Sequence, residues 1–259
     1  LADALSERYL SEAGDGEGRA LLPLYLAYRA TVRGKVASFK ATQAEIPAAE
    51  REEAKARARG HLLFALATLA PPSERPLLAL VGGLPGTGKS TIARGLEEAG
   101  FRWIRSDKVR KELAGIAPAK RALASYEGGI YSSEWSERTY AECLRRAGLA
   151  LFEGERVVVD ASFASSANRE RFLSAARGFG VPFRVLICEI EPGIARARLT
   201  LRALDSACAD PSDADWEVYQ GMARLWEPLG EALEPFAFAV DTDASPEQAV
   251  ASALRLLES

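Results

Sequence analysis

The sequence predicts an α/β protein in which five short strands form one parallel sheet, preceded by a helical extension. Three observations predict it. Apolar runs at residues 78–81, 101–105, 156–160, 183–190 and 235–240 alternate with stretches of helical period, the pattern of repeated βαβ units with right-handed crossovers. The third run, with Val157, Val158 and Val159 in succession, is too apolar to leave one face in water, which is the habit of parallel strands covered on both sides. The first run leads without a break into Gly82, Gly83, Leu84, Pro85, Gly86, Thr87, Gly88, Lys89, Ser90 and Thr91, so that a strand, a glycine-rich loop and a helix start follow one another.

Taken in order, residues 1–18 read as short helical material closed by the turn-rich Gly14, Asp15, Gly16, Glu17 and Gly18. The first residue is Leu rather than Met, and the expectation is a fragment or a processed product. Over residues 22–39, Leu22, Tyr25, Leu26, Val32, Val36 and Phe39 recur near every 3.6 residues, with Arg29, Arg33, Lys35 and Lys40 among them. This predicts an amphipathic helix whose basic side is a solvated face or a partner surface. Residues 48–69 predict a second helix, the pair forming a hairpin that Pro71 and Pro72 end. The expected division is therefore a helical unit over 1–72 and an α/β unit over 73–259.

Within the α/β unit, Gly100 closes the helix after the glycine loop, and a short helix over 108–113 follows the second strand. Residues 115–129, with Pro118, Gly128 and Gly129, lack any period and read as a loop that closes over substrates. Ser133 is the expected cap of a helix with Glu134 and Glu137 early and Arg145 and Arg146 late, as the macrodipole prefers. Helices are also expected over 165–178, from Pro192 and, after a turn-rich break at 205–213, from a Ser212 cap to Trp226. Ser245, Pro246, Glu247 and Gln248 make a capping box for the last helix.

The spacing Gly83, four residues, Gly88, Lys89, Ser90 is that of a P-loop, or Walker A loop. Its glycines let backbone N–H groups converge on phosphate oxygens, and the helix opening at Lys89 adds its positive end. Gly83, Pro85, Gly86, Thr87, Gly88, Lys89, Ser90 and Thr91 are the expected nucleotide-binding set, with Lys89 reaching the β and γ phosphates and Ser90 taking one position on Mg²⁺. Ligands of such sheets lie beyond the carboxyl ends of the strands, so the residues that end the other strands are the next candidates. Asp160, ending the third strand, is placed like a carboxylate that holds Mg²⁺; capping of the following turn is the other reading. Asp107 is the candidate general base for an attacking hydroxyl, a role compatible with capping the helix over 108–113.

Arg110, three residues further on, shares a face with Asp107 and suits an anionic acceptor. Residues 101–121 hold seven basic side chains (Arg102, Arg105, Lys108, Arg110, Lys111, Lys120, Arg121) against Asp107 and Glu112, which reads as an anion-binding region or as solvated surface. Arg198 and Arg202, four apart on one helix, can point at one ligand and neutralise charge on a transferring phosphoryl group; plain surface arginines are the alternative.

Hydrophobic residues make up 48% and charged residues 27% of the 259, which excludes a disordered chain and allows a full core. A net charge of −3 argues against the broad phosphate-backbone footprint of dedicated duplex binders. No apolar run is long enough to span a membrane, and the start lacks the basic-then-apolar order of a signal peptide, so no membrane partner and a cytoplasmic location are expected. Cys143, Cys188 and Cys208 are widely spaced and His61 is the sole histidine, so neither zinc nor a disulfide framework nor an imidazole base is expected.

With these residues together, 76–259, about 70% of the chain, resembles the small P-loop kinases: the nucleoside-monophosphate-kinase-like group with gluconate kinase, chloramphenicol phosphotransferase and zeta toxin, all with an AAA-type ATP-binding domain. Ser106, Asp107, two residues, Arg110 looks most like the kinase domain of polynucleotide 5′-hydroxyl kinases, in which the Asp is the base and the Arg holds an acceptor phosphate. Arg198 and Arg202 are similar to the lid arginines of that group. The resemblance implies a three-layer fold with strand order 2-3-1-4-5, ATP and Mg²⁺ as cofactors, and an alcohol group as acceptor. Residues 20–40 look like the closing helices of an aminoglycoside-phosphotransferase-like domain, which implies such a domain ahead of the kinase in a longer protein. The phosphatase and ligase modules that often accompany end-repair kinases are absent from the sequence. Three functions stay open: a kinase acting on a nucleic-acid 5′-hydroxyl or a small molecule, an antibiotic-modifying phosphotransferase, and a regulatory ATPase module without an acceptor.

Overall fold

The computed structural model describes residues 2–116, 132–204 and 214–258. The chain divides into two compact units, Leu1–Arg75 and Pro76–Ser259.

The first unit is helical: α1 (Ala2–Ala13), α2 (Gly16–Thr42) and α3 (Ala48–Leu69). The turn expected through Gly18 is shorter than read, because the Asp15 carboxylate accepts the Gly18 N–H at 2.8 Å and caps α2 from Gly16 onward. A second correction concerns the packing face of α2. Its buried residues are Ala27, Ala30 and Gly34, matched on α3 by Ala54, Ala58, Leu63 and Ala65. A Cβ on Gly34 would lie 3.2 Å from the Ala58 carbonyl, so small side chains let the two backbones approach. Tyr25, Leu26, Val36 and Phe39, read as the apolar stripe of a buried face, are instead exposed, Val36 at 62%.

The second unit is a five-stranded parallel sheet in the order β2-β3-β1-β4-β5, as expected. The strands are β1 (Leu78–Gly82), β2 (Phe101–Arg105), β3 (Arg156–Asp160), β4 (Phe183–Glu189) and β5 (Ala237–Asp241). Between them run α4 (Lys89–Glu98), α5 (Ser106–Leu113), α6 (Ser133–Phe152), α7 (Ser166–Phe179), α8 (Pro192–Leu204) and α9 (Trp216–Leu225), and α10 (Pro246–Glu258) ends the fold. Alternate residues of β1 face opposite layers. Leu78 and Leu80 join Tyr140, Cys143, Leu151, Phe172 and Leu173 of α6 and α7, whereas Ala79 and Val81 join Ile92 and Leu96 of α4 and Ala253 and Leu257 of α10. Each such Leu, Ile or Phe contributes about 1.5–3 kcal/mol by leaving water. Cys143 and Cys188 are free and buried, and Cys208 lies outside the described residues.

Element ends account for the remaining differences. α5 starts at Ser106, so Asp107 sits in its first turn instead of capping it. The cap of α6 is Ser132, whose Oγ accepts the Trp135 N–H at 3.4 Å, one residue before the expected Ser133. α9 is capped by Asp215, which accepts the Val218 N–H at 2.9 Å; Ser212 and the break at 205–213 lie outside the described residues, as does most of the loop at 115–129. Pro235 belongs to a 3₁₀ turn (Glu234–Phe236) rather than to β5. The capping box of α10 is present in both directions, Ser245 N–H to Gln248 Oε1 at 3.4 Å and Gln248 N–H to Ser245 Oγ at 3.3 Å.

Close approach of α4 and α10 depends on Gly95, where an added Cβ would lie 2.5 Å from both Val250 methyl carbons and 3.1 Å from its Cβ. Gly95→Ala therefore lowers stability by about 1–2 kcal/mol in denaturant titrations, although alanine favours helix, because overpacking outweighs propensity. The expected double variant with Val250→Ala is more stable than Gly95→Ala alone.

Candidate active site

The glycine loop leaves β1 with Gly83 at φ +141°, where a Cβ would meet the Cys188 carbonyl at 2.7 Å and Thr87 Oγ1 at 2.8 Å. Only glycine lets the chain pass so close to the end of β4. Gly88, in the left-handed region at φ +84°, turns the loop into α4. The Thr87 hydroxyl and the Lys89 ammonium both donate to the Leu84 carbonyl, at 2.8 and 2.7 Å, which folds the loop round on itself. Thr242, just past β5, braces the loop from behind. Its hydroxyl lies 2.7 Å from the Thr87 carbonyl and 3.0 Å from that of Glu189.

Parallel pairing puts Val81 of β1 and Arg105 of β2 opposite Asp160 of β3, so three strand ends open on one hollow. There the Ser90 hydroxyl donates to Asp160 Oδ2 at 2.9 Å, and Arg105 Nε stands 3.9 Å from the same oxygen. Asp160 is only 4% exposed, and burial holds its carboxyl above the ordinary range against the pull of Lys89, Arg105 and the Ser90 hydroxyl. Burial likewise pushes the Lys89 ammonium below the usual lysine value, with Asp160, Cys188 and Asp107 acting in the opposite direction. Two oxygen donors held together beside a lysine suit Mg²⁺, which binds through one or two protein groups and the substrate's own phosphates.

The hollow is a cleft of about 940 Å³. Pro85, Gly86, Gly88, Lys89, Ser90 and Thr91 line one part of it, together with Asp160. Asp107 and Arg110 reach it from α5, and Arg198 and Arg202 from α8. Arg110, 8% exposed, donates to Ser136 Oγ at 3.3 Å. Arg198 donates to the Thr242 carbonyl at 2.9 Å and Arg202 to that of Ala214. Of the nucleotide-binding residues expected from sequence, Gly83 and Thr87 do not line the cleft; they lie beneath the loop, as the contacts above describe.

The basic segment 101–121 is not one exposed face. Arg102 is held by Glu155 at 2.8 and 2.9 Å, Arg105 and Arg110 turn into the cleft, and Lys111 is 1% exposed. Lys120 and Arg121 lie outside the described residues. A row of hydroxyls went unread in the sequence: Ser132, Ser133 and Ser136 at the start of α6, Tyr140 one turn on, and Ser162 and Ser165 after β3. The helical spacing of the first group, and the position of Ser162 two residues past Asp160 at a strand's carboxyl end, were the available signals.

The model of the AAA domain family matches residues 78–229, from the start of β1 to beyond α9. The chain belongs to this family. Its AAA domain has a kinase-like P-loop fold. Two uncharacterized proteins, from Mycobacterium tuberculosis and Mycobacterium bovis, are 31% identical over 263 residues, covering 100% of this chain and 49% of each of theirs. The chain thus spans about half the length of the curated relatives it matches. A cytidylate kinase of Methanothrix thermoacetophila is 33% identical over 84 residues, 30% of this chain and 46% of that one. Among solved structures, a sugar kinase from Janibacter sp. has a TM-score of 0.52 at 16% identity, over 71% of this chain and 95% of its own, a likeness of fold. Among the described residues, no helix is long and apolar enough to cross a membrane.

Proposed function

We propose that this chain is an ATP-dependent kinase that transfers the γ-phosphoryl group to an alcohol, with residues 73–259 as the catalytic domain and residues 1–72 as a helical extension of it. The observation that carries this reading is the shared cleft: Asp107 and Arg110 face the same space as Lys89, Ser90 and Asp160. A nucleotide switch needs no carboxylate and cation on the far side of its phosphates, whereas a kinase needs both a base and a hold on its acceptor.

In this reading Pro85, Gly86, Gly88 and Thr91 form the cradle around the phosphates, Gly83 and Thr87 shape the loop from beneath, and Lys89 exchanges the Leu84 carbonyl for β and γ oxygens. Asp107 accepts the acceptor's hydroxyl proton as that oxygen bonds to the γ-phosphorus and the bond to the β-bridging oxygen breaks, leaving ADP. Arg198 and Arg202 lie against the charge spread over the transferring group, and Arg110 anchors an anionic part of the acceptor. Ser90 and Asp160 would hold Mg²⁺, which neutralises charge on the β and γ phosphates when bound.

A small hydroxyl compound is favoured over a nucleic-acid end, because among the described residues Arg102 is engaged by Glu155 and Lys111 is buried, which interrupts the basic run over 101–116 as a face for a phosphate backbone. The test is transfer of labelled γ-phosphate from ATP with Mg²⁺ to 5′-hydroxyl DNA and RNA oligonucleotides, adenosine, D-glucose, D-gluconate and kanamycin, with Lys89→Ala as the blank. Label on a small compound is expected. Label on an oligonucleotide alone would assign an end kinase, and free phosphate indifferent to every acceptor would favour the regulatory ATPase.

A further inference from the structure

Three features lie behind one wall of the cleft. Phe163 has φ +51°, the left-handed region that side chains rarely adopt, and is the sole non-glycine residue there among those described. Such outliers cluster where a site holds its backbone against local preference. Arg169 is 0% exposed and spends its guanidinium on main-chain carbonyls: Nη1 donates to Phe163 at 2.6 Å and Ala164 at 3.2 Å, Nη2 to Glu227 at 2.8 Å and Pro228 at 2.7 Å. Tyr140, also buried, packs its ring against that of Phe163 at 5.4 Å, and Phe172 meets Phe163 edge-on.

All three converge on one group. Tyr140 Oη accepts the Phe163 N–H at 3.0 Å and lies 3.1 Å from Ser162 Oγ. The two hydroxyls share a single hydrogen bond, which pins Ser162 Oγ from behind and leaves it further bonding capacity toward the cleft that Ser162 lines. The main chain of Ser162 is fixed too, since its carbonyl accepts the Gly83 N–H at 3.1 Å, which ties it to the glycine loop. Strain at Phe163 and the buried Arg169 hold the backbone that presents this hydroxyl, two residues past the carboxylate bonded to Ser90.

We propose that Ser162 contacts the phosphoryl acceptor through a hydrogen bond of its hydroxyl, and that Tyr140 is the positioning residue that aims it. The acceptor therefore carries a second hydrogen-bonding group next to the hydroxyl that is phosphorylated, as a polyol or sugar does. This rests on the kinase reading above and adds to it the residue that selects the acceptor. Ser162→Ala keeps the carbonyl bond to Gly83, so it leaves the loop tied; Tyr140→Phe keeps Ser162 but removes its aim.

Steady-state transfer is measured for wild type and both variants, varying in turn ATP and each of D-glucose, D-gluconate, adenosine and kanamycin, with thermal unfolding alongside. Expected is a rise of about tenfold in KM for the small compound that is labelled, in both variants, with KM for ATP within about twofold of wild type. An unchanged acceptor KM in Ser162→Ala would overturn the inference while leaving the kinase reading intact. So would a parallel rise in both KM values, the mark of a merely structural residue. Transfer by wild type to none of the compounds or oligonucleotides would overturn the kinase reading and this inference with it.

Discussion

Asp107→Asn lowers kcat for transfer to the acceptor by about 10²–10⁴, with little change in KM for ATP. Asparagine has nearly the volume of aspartate and keeps the first turn of α5 intact, so Arg110, on the same short helix, stays in the cleft. What it lacks is the ability to take a proton. Without that, the acceptor must attack as an alcohol whose proton has nowhere to go, and the barrier rises by the amount general-base catalysis supplied. Single-turnover transfer with enzyme in excess isolates the step from ADP release. Transfer by Asp107→Asn at the wild-type rate would remove Asp107 from the chemistry and send the search to another carboxylate lining the cleft, Glu227.

Lys89→Ala comes next in size, with a loss of about 10²–10³ in kcat. Its ammonium is held to the Leu84 carbonyl at 2.7 Å beside Asp160, and burial pushes it below the usual lysine value. A cation partly withdrawn from water interacts more strongly with developing charge, since less solvent need reorganise when the phosphoryl group moves. The expected defect is therefore larger in kcat than in the affinity for ATP, because the loop's backbone N–H groups remain. Calorimetric titration with ATP and Mg²⁺ beside the rate measurement separates the two. A variant that kept transfer within a few fold of wild type would show that Lys89 serves only to close the loop.

The parts of the fold visible beforehand were those that depend on local chemistry. Val157, Val158 and Val159 read as a buried strand because no alternation could leave them a wet face, and Gly83, Gly88, Lys89 and Ser90 read as a phosphate loop because their spacing leaves few other uses. The place of Asp107 and Asp160 at the cleft was legible from strand ends alone, since parallel register brings such ends to one edge. What was hidden depends on distant partners. The buried face of α2 belongs to Ala27, Ala30 and Gly34, because helix α3 offers alanines there, and hydrophobicity counted residue by residue favours Tyr25 and Phe39 instead. Nothing local marks Arg169, since its carbonyl partners at Glu227 and Pro228 lie 58 and 59 residues away. The basic run at 101–121 was a count of charges, and a count says nothing about Glu155 or burial.

The family's outline closes at residue 229, yet Thr242 lies beyond it. A chain trimmed to that outline would leave the Thr87 carbonyl without its brace, Arg198 without its main-chain partner, and Val81 without the covering layer of α10. The last strand and helix act as a splint on the nucleotide loop, and the smallest piece worth expressing for crystallography or inhibitor screening keeps them.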